Sequence, residues 1–442
     1  MDSNKTIYQA AAKFLSGTAL SRVSGLLRDM AMAYSFGTSA PLAAFFTAFR
    51  LTNVPRRLLG EGGMQTAFIP HFEALKADRP ERAFAFFRDL HALLAAVLTF
   101  LILLIAGGLF CLIHWGGLSE PNQEIVWLTL LMMPGLFFIC LYGLNSGFLE
   151  CQGSYFTPSI APIAFNIVWI GAALALASQP LDQAMSWLSL ALIVASFSQW
   201  ALTVPKTLKY LKGSLLKISL FSPDLKALLK PLFLANLGII ATQINSALDP
   251  LFARWAHPEG PAWLWYAIRI EQLPLALFGI ALSGALLPPL SRAAKSGDID
   301  AFKHFLTTAL RRSLAVMAAV TLAIFLLGNW SVALLFGRGD FGPESITSTA
   351  LCLTCYAFGL IPQTWVLILA PAFFAFGNYA LPARASILSV LLSLLFNALF
   401  VFTLHWGPES VALSTSIAAL FNAGYLLFAM RAQLKRYPVL GN

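Results

Sequence analysis

The chain has 442 residues, of which 58% are hydrophobic and 11% charged, and its formal net charge is +9. A soluble protein would carry about one quarter charged residues, so this composition excludes a soluble globular domain and indicates a polytopic membrane protein. The N-terminus lacks a short apolar core followed by a small-residue cleavage site, so we expect the first helix to remain in the mature protein.

Apolar runs separated by charged, proline and glycine residues predict about twelve transmembrane helices, each long enough to cross about 30 Å of hydrocarbon. In chain order the predicted spans are 8–36, 40–74, 86–115, 124–151, 156–178, 185–211, 224–256, 262–292, 303–336, 345–375, 380–405 and 410–434. Lysine and arginine concentrate at both termini and in alternate loops, whereas the loops around Glu120, Asp182 and Glu409 contain neither. By the positive-inside rule, both termini are predicted to be cytoplasmic. The net charge therefore reflects topology, and we expect no nucleic-acid partner.

Two sequence patterns recur about half a chain length apart. Arg-x4-Pro-x4-Gly-x9-Pro begins at Arg50 and again at Arg269, and Gly-x-Tyr-x-x-Pro begins at Gly153 and again at Gly377. Because six helices per half is an even number, the two halves would have the same orientation and form a parallel repeat. The predicted fold is therefore an all-α polytopic membrane protein with two parallel six-helix lobes, residues 1–221 and 222–442, around a central cavity.

Charged residues inside the predicted membrane helices indicate a binding function. Six arginines stand against three carboxylates, namely Arg22, Arg28, Arg50, Arg56, Arg57 and Arg269 against Asp29, Glu61 and Glu271. A guanidinium at the bilayer centre costs about 2.5–3.5 kcal/mol even on the lenient insertion scale, so arginines in excess of acids need water or an anionic ligand. Because guanidinium forks match phosphate oxygens in bidentate geometry, the surplus predicts a transporter for a phosphate- or diphosphate-bearing substrate. For Arg57 and Glu61, four residues apart in one predicted helix, an internal salt bridge is the alternative.

The remaining motifs do not predict chemistry. The Gly-x-Gly-x-x-Gly sequence at Gly337 follows a membrane helix and not a strand, and no Gly-x4-Gly-Lys-Ser/Thr loop occurs, so we expect no nucleotide partner. The histidines are isolated, and the pair Cys352 and Cys355 lacks the further ligands that structural zinc needs. We therefore expect a protein that is not an enzyme.

Several segments resemble the MurJ (MviN) lipid II flippase family. The resemblance extends over most of the chain and lies in Ser21–Asp29, Ala44–Phe46, Arg50–Arg57, Tyr266–Leu282 and Leu335–Phe341. It implies the fold of the multidrug/oligosaccharidyl-lipid/polysaccharide exporter superfamily. It also implies that the protein moves undecaprenyl-diphosphate-linked peptidoglycan precursor from the inner to the outer leaflet of the bacterial cytoplasmic membrane by alternating access. Membrane lipid and cell-wall synthesis proteins would be its other partners.

The resemblance also implies roles for individual residues. Family arginines that match Arg22, Arg28, Arg56 and Arg269 line the central cavity, the position of Arg50 is basic, and Glu61 matches a cavity acid. With the two further charges noted above, the candidate substrate-binding residues are Arg22, Arg28, Arg50, Arg56, Arg57, Glu61, Arg269 and Glu271. Three family acids are replaced here, by Ala43, Ile268 and Gln272, and Glu271 lies one position from the last of them.

Two features of the family bear on ligands other than the head group. Some members hold a sodium ion, whose ligands match Asp249, Asn397 and Thr415, although Val401 stands where a further acid is expected. Sodium is therefore the only cofactor that the resemblance suggests. Family members usually continue with two more helices that hold the lipid tail, and these would follow the last residue here, Asn442.

Two alternatives to a lipid II flippase remain open from the sequence. An exporter of another lipid-linked oligosaccharide, or of a drug, would share the fold. A non-transporting membrane scaffold for cell-wall assembly would share the helices but would not need the cavity arginines.

Overall fold

A computed structural model describes residues 4–211, 218–220 and 222–436, and within these ranges it contains helices and no strand. The helices are α1 (Asn4–Phe36), α2 (Ala40–Leu59), α3 (Gly63–Asp78), α4 (Pro80–Trp115), α5 (Glu120–Met132), α6 (Gly135–Cys151), α7 (Phe156–Leu176), α8 (Leu181–Ala201), α9 (Val204–Tyr210), α10 (Pro223–Ala256), α11 (Gly260–Pro274), α12 (Ala281–Ser296), α13 (Ile299–Phe336), α14 (Pro343–Ala357), α15 (Leu360–Ala375), α16 (Ala380–Ala398) and α17 (Glu409–Arg436), with π-helical segments at Leu275–Ile280 and Leu399–Thr403. Each predicted span coincides with one helix or with a run of two or three consecutive helices. The all-α class is confirmed.

Proline and glycine determine where the longer predicted spans break. Pro134 lies between α5 and α6, whose axes bend by 50°, and Gly359 lies between α14 and α15, which bend by 42°. The second predicted span is divided into α2 and α3 by the turn at residues 60–62. Gly62 in this turn has a φ of 72°, a conformation that favours glycine. Residues in this turn therefore do not continue the helical face of α2.

Residues 1–37 and 44–247 form one compact unit. In it α1 packs along α7, α7 packs along α8, and α3, α4 and α6 pack against one another. The core of this second group is aromatic: Phe68, Phe72, Phe87 and Phe148 are at most 1% exposed, and the rings of Phe87 and Phe148 stack with centroids 4.0 Å apart. This packing holds α4 and α6 together.

Residues 38–43 and 248–442 form the other compact unit. Here α14 packs against α11, α13 and α17, while α15 packs against α12, α13 and α17. Its core includes Leu290, Phe302, Ile368 and Phe373, which are all fully buried. The first unit thus continues through α10 as far as Ala247. The predicted lobe boundary lies between residues 221 and 222. Because residue 221 lies outside the described residues, this boundary stays a prediction.

The surface and the length of the helices are those of a membrane protein. The 36 residues of α4 span about 54 Å, more than the hydrocarbon thickness of a bilayer, and Phe100 and Leu103 on it are 65% and 67% exposed. By length and composition, six of the described helices could cross a membrane, or up to eight segments if the bent pairs α5–α6 and α14–α15 each count as one. The polytopic class is confirmed, whereas the number of twelve crossings stays a prediction.

Candidate functional site

Arg28 on α1 is held by three neighbours in the first unit. Its guanidinium donates to Asp29 Oδ1 from Nε at 3.1 Å and from Nη2 at 2.8 Å, and to Asn166 Oδ1 from Nη1 at 3.2 Å. Its Cζ lies 4.5 Å from the ring centroid of Trp169, a cation–π arrangement. The side chains of Arg28 and Asp29 are only 11% and 2% exposed. The positive charge of Arg28 is therefore neutralised by the adjacent carboxylate of Asp29.

The packing of α7 on α1 creates this environment. Ser24, Arg28 and Met32 are four residues apart and form one stripe on α1, and Asn166 and Trp169 are three apart on α7. Asn166 Nδ2 donates to Ser24 Oγ at 2.8 Å, and Trp169 Nε1 donates to Met32 Sδ at 3.1 Å. Both α7 residues are contacts of the candidate site that the sequence interpretation missed. Their three-residue spacing in an apolar helix was the only signal in the sequence that they share a helical face. This spacing does not indicate which residues they contact.

The C-terminal end of α2 carries a cluster of three arginines with one carboxylate. Arg56 donates from Nη2 to Glu61 Oε1 at 2.8 Å, and from Nη1 to Asn53 Oδ1 at 3.2 Å. Arg57 is exposed, forms no ion pair within the described part of the chain, and lies within electrostatic reach of Arg50, Arg56 and Glu61. The alternative of an Arg57–Glu61 bridge along one helix is therefore wrong. Because α2 ends at residue 59, Glu61 lies in the following turn and meets Arg56 instead.

A close approach between backbones positions this turn. A Cβ atom added at Gly143 on α6 would lie 2.5 Å from the carbonyl C and O atoms of Gly60, and one added at Gly60 would lie 2.9 Å from the Cα of Cys140. Only glycine allows such contact between a turn and a helix. The two glycines thereby bring Glu61 within reach of Arg56.

Arg56 also lines a cavity inside the first unit. The cavity has a volume of about 30 Å³ and lies among α2, α5, α6, α7 and α8. Its walls are Phe49, Thr52, Asn53, Arg56, Met132, Gly135, Leu136, Ile139, Phe165, Leu192 and Ser196. Within the described part of the chain, Arg56 Nε is buried and has no hydrogen-bond partner. The cavity thus places one guanidinium group among mostly apolar walls.

The remaining arginines of the candidate set differ in their surroundings. Arg22 on α1 is exposed and forms no ion pair among the residues that the structure describes. Arg50 is half-buried, and its Nη1 donates to the carbonyl oxygen of Ser246 at 3.5 Å. In the second unit Arg269 is half-buried and stacks on Trp265, with Cζ 4.3 Å from the ring centroid. Guanidinium groups that stack or lie exposed keep donors in a geometry suited to phosphate.

Glu271 does not lie beside Arg269. Two residues on an α-helix are about 200° apart, so the two side chains occupy opposite faces of α11. Glu271 is 2% exposed and hydrogen-bonds the side chain of Gln363, while the neighbouring Gln272 is exposed. Glu271 therefore lies within the second unit, away from the face on which the resemblance placed a cavity acid.

The candidate sodium ligands are partly assembled. Asn397 Nδ2 donates to Asp249 Oδ1 at 2.9 Å, and both residues are buried. Asn397 Oδ1 is buried without a hydrogen-bond partner within the described ranges, and Thr415 Oγ1 donates to the carbonyl oxygen of Val411 at 3.2 Å. Among the described residues, no group of three or more His, Cys, Asp or Glu side chains could hold a metal ion. A carboxylate with an unpartnered amide oxygen suits a small hard cation, although Val401 supplies no oxygen from its side chain.

Comparison with solved structures defines the class of protein. The fold is similar to that of a lipid II flippase MurJ in an inward closed conformation, with a TM-score of 0.80 and 24% identity over 95% of this chain and 87% of that one. It is also similar to an inward-facing multidrug resistance transporter of the MATE family in the MOP superfamily, with a TM-score of 0.77 and 16% identity over 98% and 100% of the two chains. The helices described above therefore form the fold that these two solved structures share.

Comparison of sequences defines the family. Residues 32–441 match the family model described as lipid II flippase MurJ. Similar relatives include the lipid II flippase MurJ of Burkholderia cenocepacia, 30% identical over 96% of this chain and 84% of the relative. Two others are probable lipid II flippases MurJ, from Aquifex aeolicus (32% identical over 94% of this chain and 81% of the relative) and from Chlamydia pneumoniae (29% identical over 99% and 80%). This chain belongs to the MurJ lipid II flippase family.

Proposed function

We propose that this protein moves lipid II, the undecaprenyl-diphosphate-linked peptidoglycan precursor, from the inner to the outer leaflet of the bacterial cytoplasmic membrane. It does so by alternating access, with both termini in the cytoplasm. Membership of the MurJ lipid II flippase family supports lipid II as the substrate. The observation that carries the proposal is the excess of guanidinium groups in α1 and α2, where Arg22 and Arg57 have no carboxylate partner in the described part of the chain.

The arginines divide into two roles. Arg22 and Arg57 bind the diphosphate oxygens, because their charge is not used by an acid. Arg28 and Arg56 are already paired with Asp29 and Glu61 and hold a fixed geometry. Arg50 adds to the positive field at the end of α2, and Arg269 is a further substrate contact on the second unit. Charge-assisted hydrogen bonds to phosphate are about twice as strong as neutral ones.

Binding of lipid II to the purified protein in lipid nanodiscs tests this proposal. Arg57→Ala should weaken binding about tenfold or more, because a hydrogen bond to a charged group contributes about 1.5–3 kcal/mol. Arg79→Ala is the matched control, since Arg79 is equally exposed in the same unit but lies outside α1 and α2. Equal binding by the Arg57→Ala and Arg79→Ala proteins would refute the assigned role.

Two further measurements separate the alternatives. Undecaprenyl phosphate and a different diphosphate-linked oligosaccharide, offered in place of lipid II, report whether the head group is selected. Vesicles that contain the protein and labelled lipid II then report movement between leaflets. Binding without movement would favour a scaffold for cell-wall assembly, and tighter binding of the other oligosaccharide would favour a different exporter.

We also propose that a sodium ion binds at Asp249, Asn397 and Thr415. The buried, unpartnered Oδ1 of Asn397 supports this, because a buried amide oxygen without a partner is costly. Sodium chloride, compared with choline chloride at equal ionic strength, should raise the thermal unfolding temperature of the wild type and not that of Asn397→Leu. An equal rise in both proteins would exclude these ligands.

A further inference from the structure

Glu271 is a carboxyl group buried in the second unit, and it has no positive partner among the residues that the structure describes. Its side chain is 2% exposed, its Oε1 accepts no hydrogen bond from these residues, and the side chain of Gln363 on α15 is its hydrogen-bonding neighbour. It lies in the predicted span 262–292, where water does not hydrate polar groups. An isolated carboxylate in such a place is far less stable than the neutral acid, which can donate one hydrogen bond of its own.

No charged group on the surrounding helices compensates Glu271. Within its unit, α11 packs against α13, α14, α17 and the π-helical segment that follows it. The titratable residues of these elements are Tyr266 and Arg269 on α11, Glu344, Cys352, Cys355 and Tyr356 on α14, Glu409, Tyr425, Arg431 and Lys435 on α17, and Asp300, Lys303, His304, Arg311 and Arg312 on α13. Among the described residues, none of these side chains forms an ion pair or hydrogen bond with Glu271.

Glu271 and Gln363 each lie beside a break in their helix. Glu271 is three residues before Pro274, where α11 ends and the π-helical segment begins. Gln363 is four residues after Gly359, at the 42° bend between α14 and α15. At Gly359 an added Cβ would lie 2.9 Å from both Gln363 Nε2 and Ser416 Oγ, so the amide is packed between the bend and α17. Helix breaks and π-helical turns are places where helices move and where functional sites occur.

We propose that Glu271 and Gln363 form a proton-binding site that links the end of α11 to the bend between α14 and α15. With the proton bound, the neutral carboxyl stays buried beside the side chain of Gln363. When the proton leaves to water, the carboxylate draws water or a donor toward it, and the conformation in which it is buried loses stability. Occupancy of the site by a proton thereby biases the second unit between two conformations. The coupling of this bias to lipid movement rests on the proposed function, whereas binding of the proton does not.

Infrared spectroscopy of the full chain in nanodiscs tests proton binding directly, through the carbonyl stretch that only a protonated carboxylic acid shows. At neutral pH the wild type should show a band that is absent from Glu271→Gln and retained in Glu344→Gln. Glu344 is the matched control because it is exposed at the start of α14. Gln363→Leu should keep the band and shift the pH at which it disappears. An identical band in the wild type and in Glu271→Gln would overturn the proposal.

Two further measurements test whether the site binds only a proton and whether proton binding is coupled to lipid II movement. If added sodium at constant pH removes the band, sodium competes with the proton at this carboxyl, and the assignment of a site for the proton alone is overturned. In vesicles, Glu271→Gln should remove the pH dependence of lipid II movement, and an unchanged pH dependence would overturn the coupling. If the wild type moves no lipid II, the proposed function fails, while the infrared result still decides whether Glu271 holds a proton.

Discussion

Substitution of Gly143 by alanine tests whether the contact between α6 and the turn at residues 60–62 supports the site. The added Cβ would lie 2.5 Å from the carbonyl C and O atoms of Gly60. These are backbone atoms and cannot rotate away, so the turn must shift. Overpacking of this kind costs about 1–3 kcal/mol, from which about 0.5–1 kcal/mol is recovered because alanine favours the helix. We expect a net loss of about 0.5–2 kcal/mol.

Gly147→Ala is the matched control, one helical turn further along α6. Gly147 is also buried, but its added Cβ would meet only side chains of Gln65, Phe68 and Ile69, at 3.5 Å or more, which is ordinary contact. Alanine there should leave stability unchanged or raise it by up to about 1 kcal/mol. Both variants replace a buried glycine of α6 by alanine, so they differ only in the atoms that the new Cβ contacts.

Thermal unfolding of the purified proteins measures this difference, with about 2–4 °C expected per kcal/mol for a unit of this size. Because the turn that Gly143 contacts carries Glu61, Gly143→Ala should also bind lipid II more weakly than Gly147→Ala does. Equal unfolding temperatures for the two variants would refute the packing argument. A lower unfolding temperature with unchanged lipid II binding would show that the turn contributes to stability but not to substrate binding.

Two other substitutions test contacts within the first unit. Asp29→Ala should destabilise the protein by about 3–5 kcal/mol, because it leaves the buried guanidinium of Arg28 without its carboxylate; Asp29→Asn should cost less, and wild-type unfolding temperatures for both variants would contradict this. Tyr142→Phe should cost about 1 kcal/mol, because Tyr142 is buried and its hydroxyl donates to the carbonyl oxygen of Pro158 at 2.8 Å. In that case an unchanged unfolding temperature would show that the hydrogen bond contributes nothing.

Patterns that repeat along the chain were readable from the sequence. Apolar runs predicted the helices because a helix in lipid must be apolar over its whole length, whatever it packs against. Positions of arginine within these runs marked the candidate site for the same reason. The turn between α2 and α3 was missed, since the second span was predicted as one continuous helix through residue 74. Because the turn was missed, the alternative of a salt bridge along one helix paired Glu61 with Arg57, whereas the structure pairs it with Arg56.

Contacts between distant segments were decided only by the tertiary structure. Arg28 meets Asn166 and Trp169 because α7 packs along α1, and no local pattern specifies which helices become neighbours. Likewise Arg269 and Glu271 are two residues apart in sequence, but helical rotation and the packing of α15 place the carboxyl inside the unit. The sequence alone determined a polytopic helical protein with arginines inside its apolar runs, since composition and periodicity act locally. Which of those charges are paired and which carboxyl is isolated depended on how the helices pack.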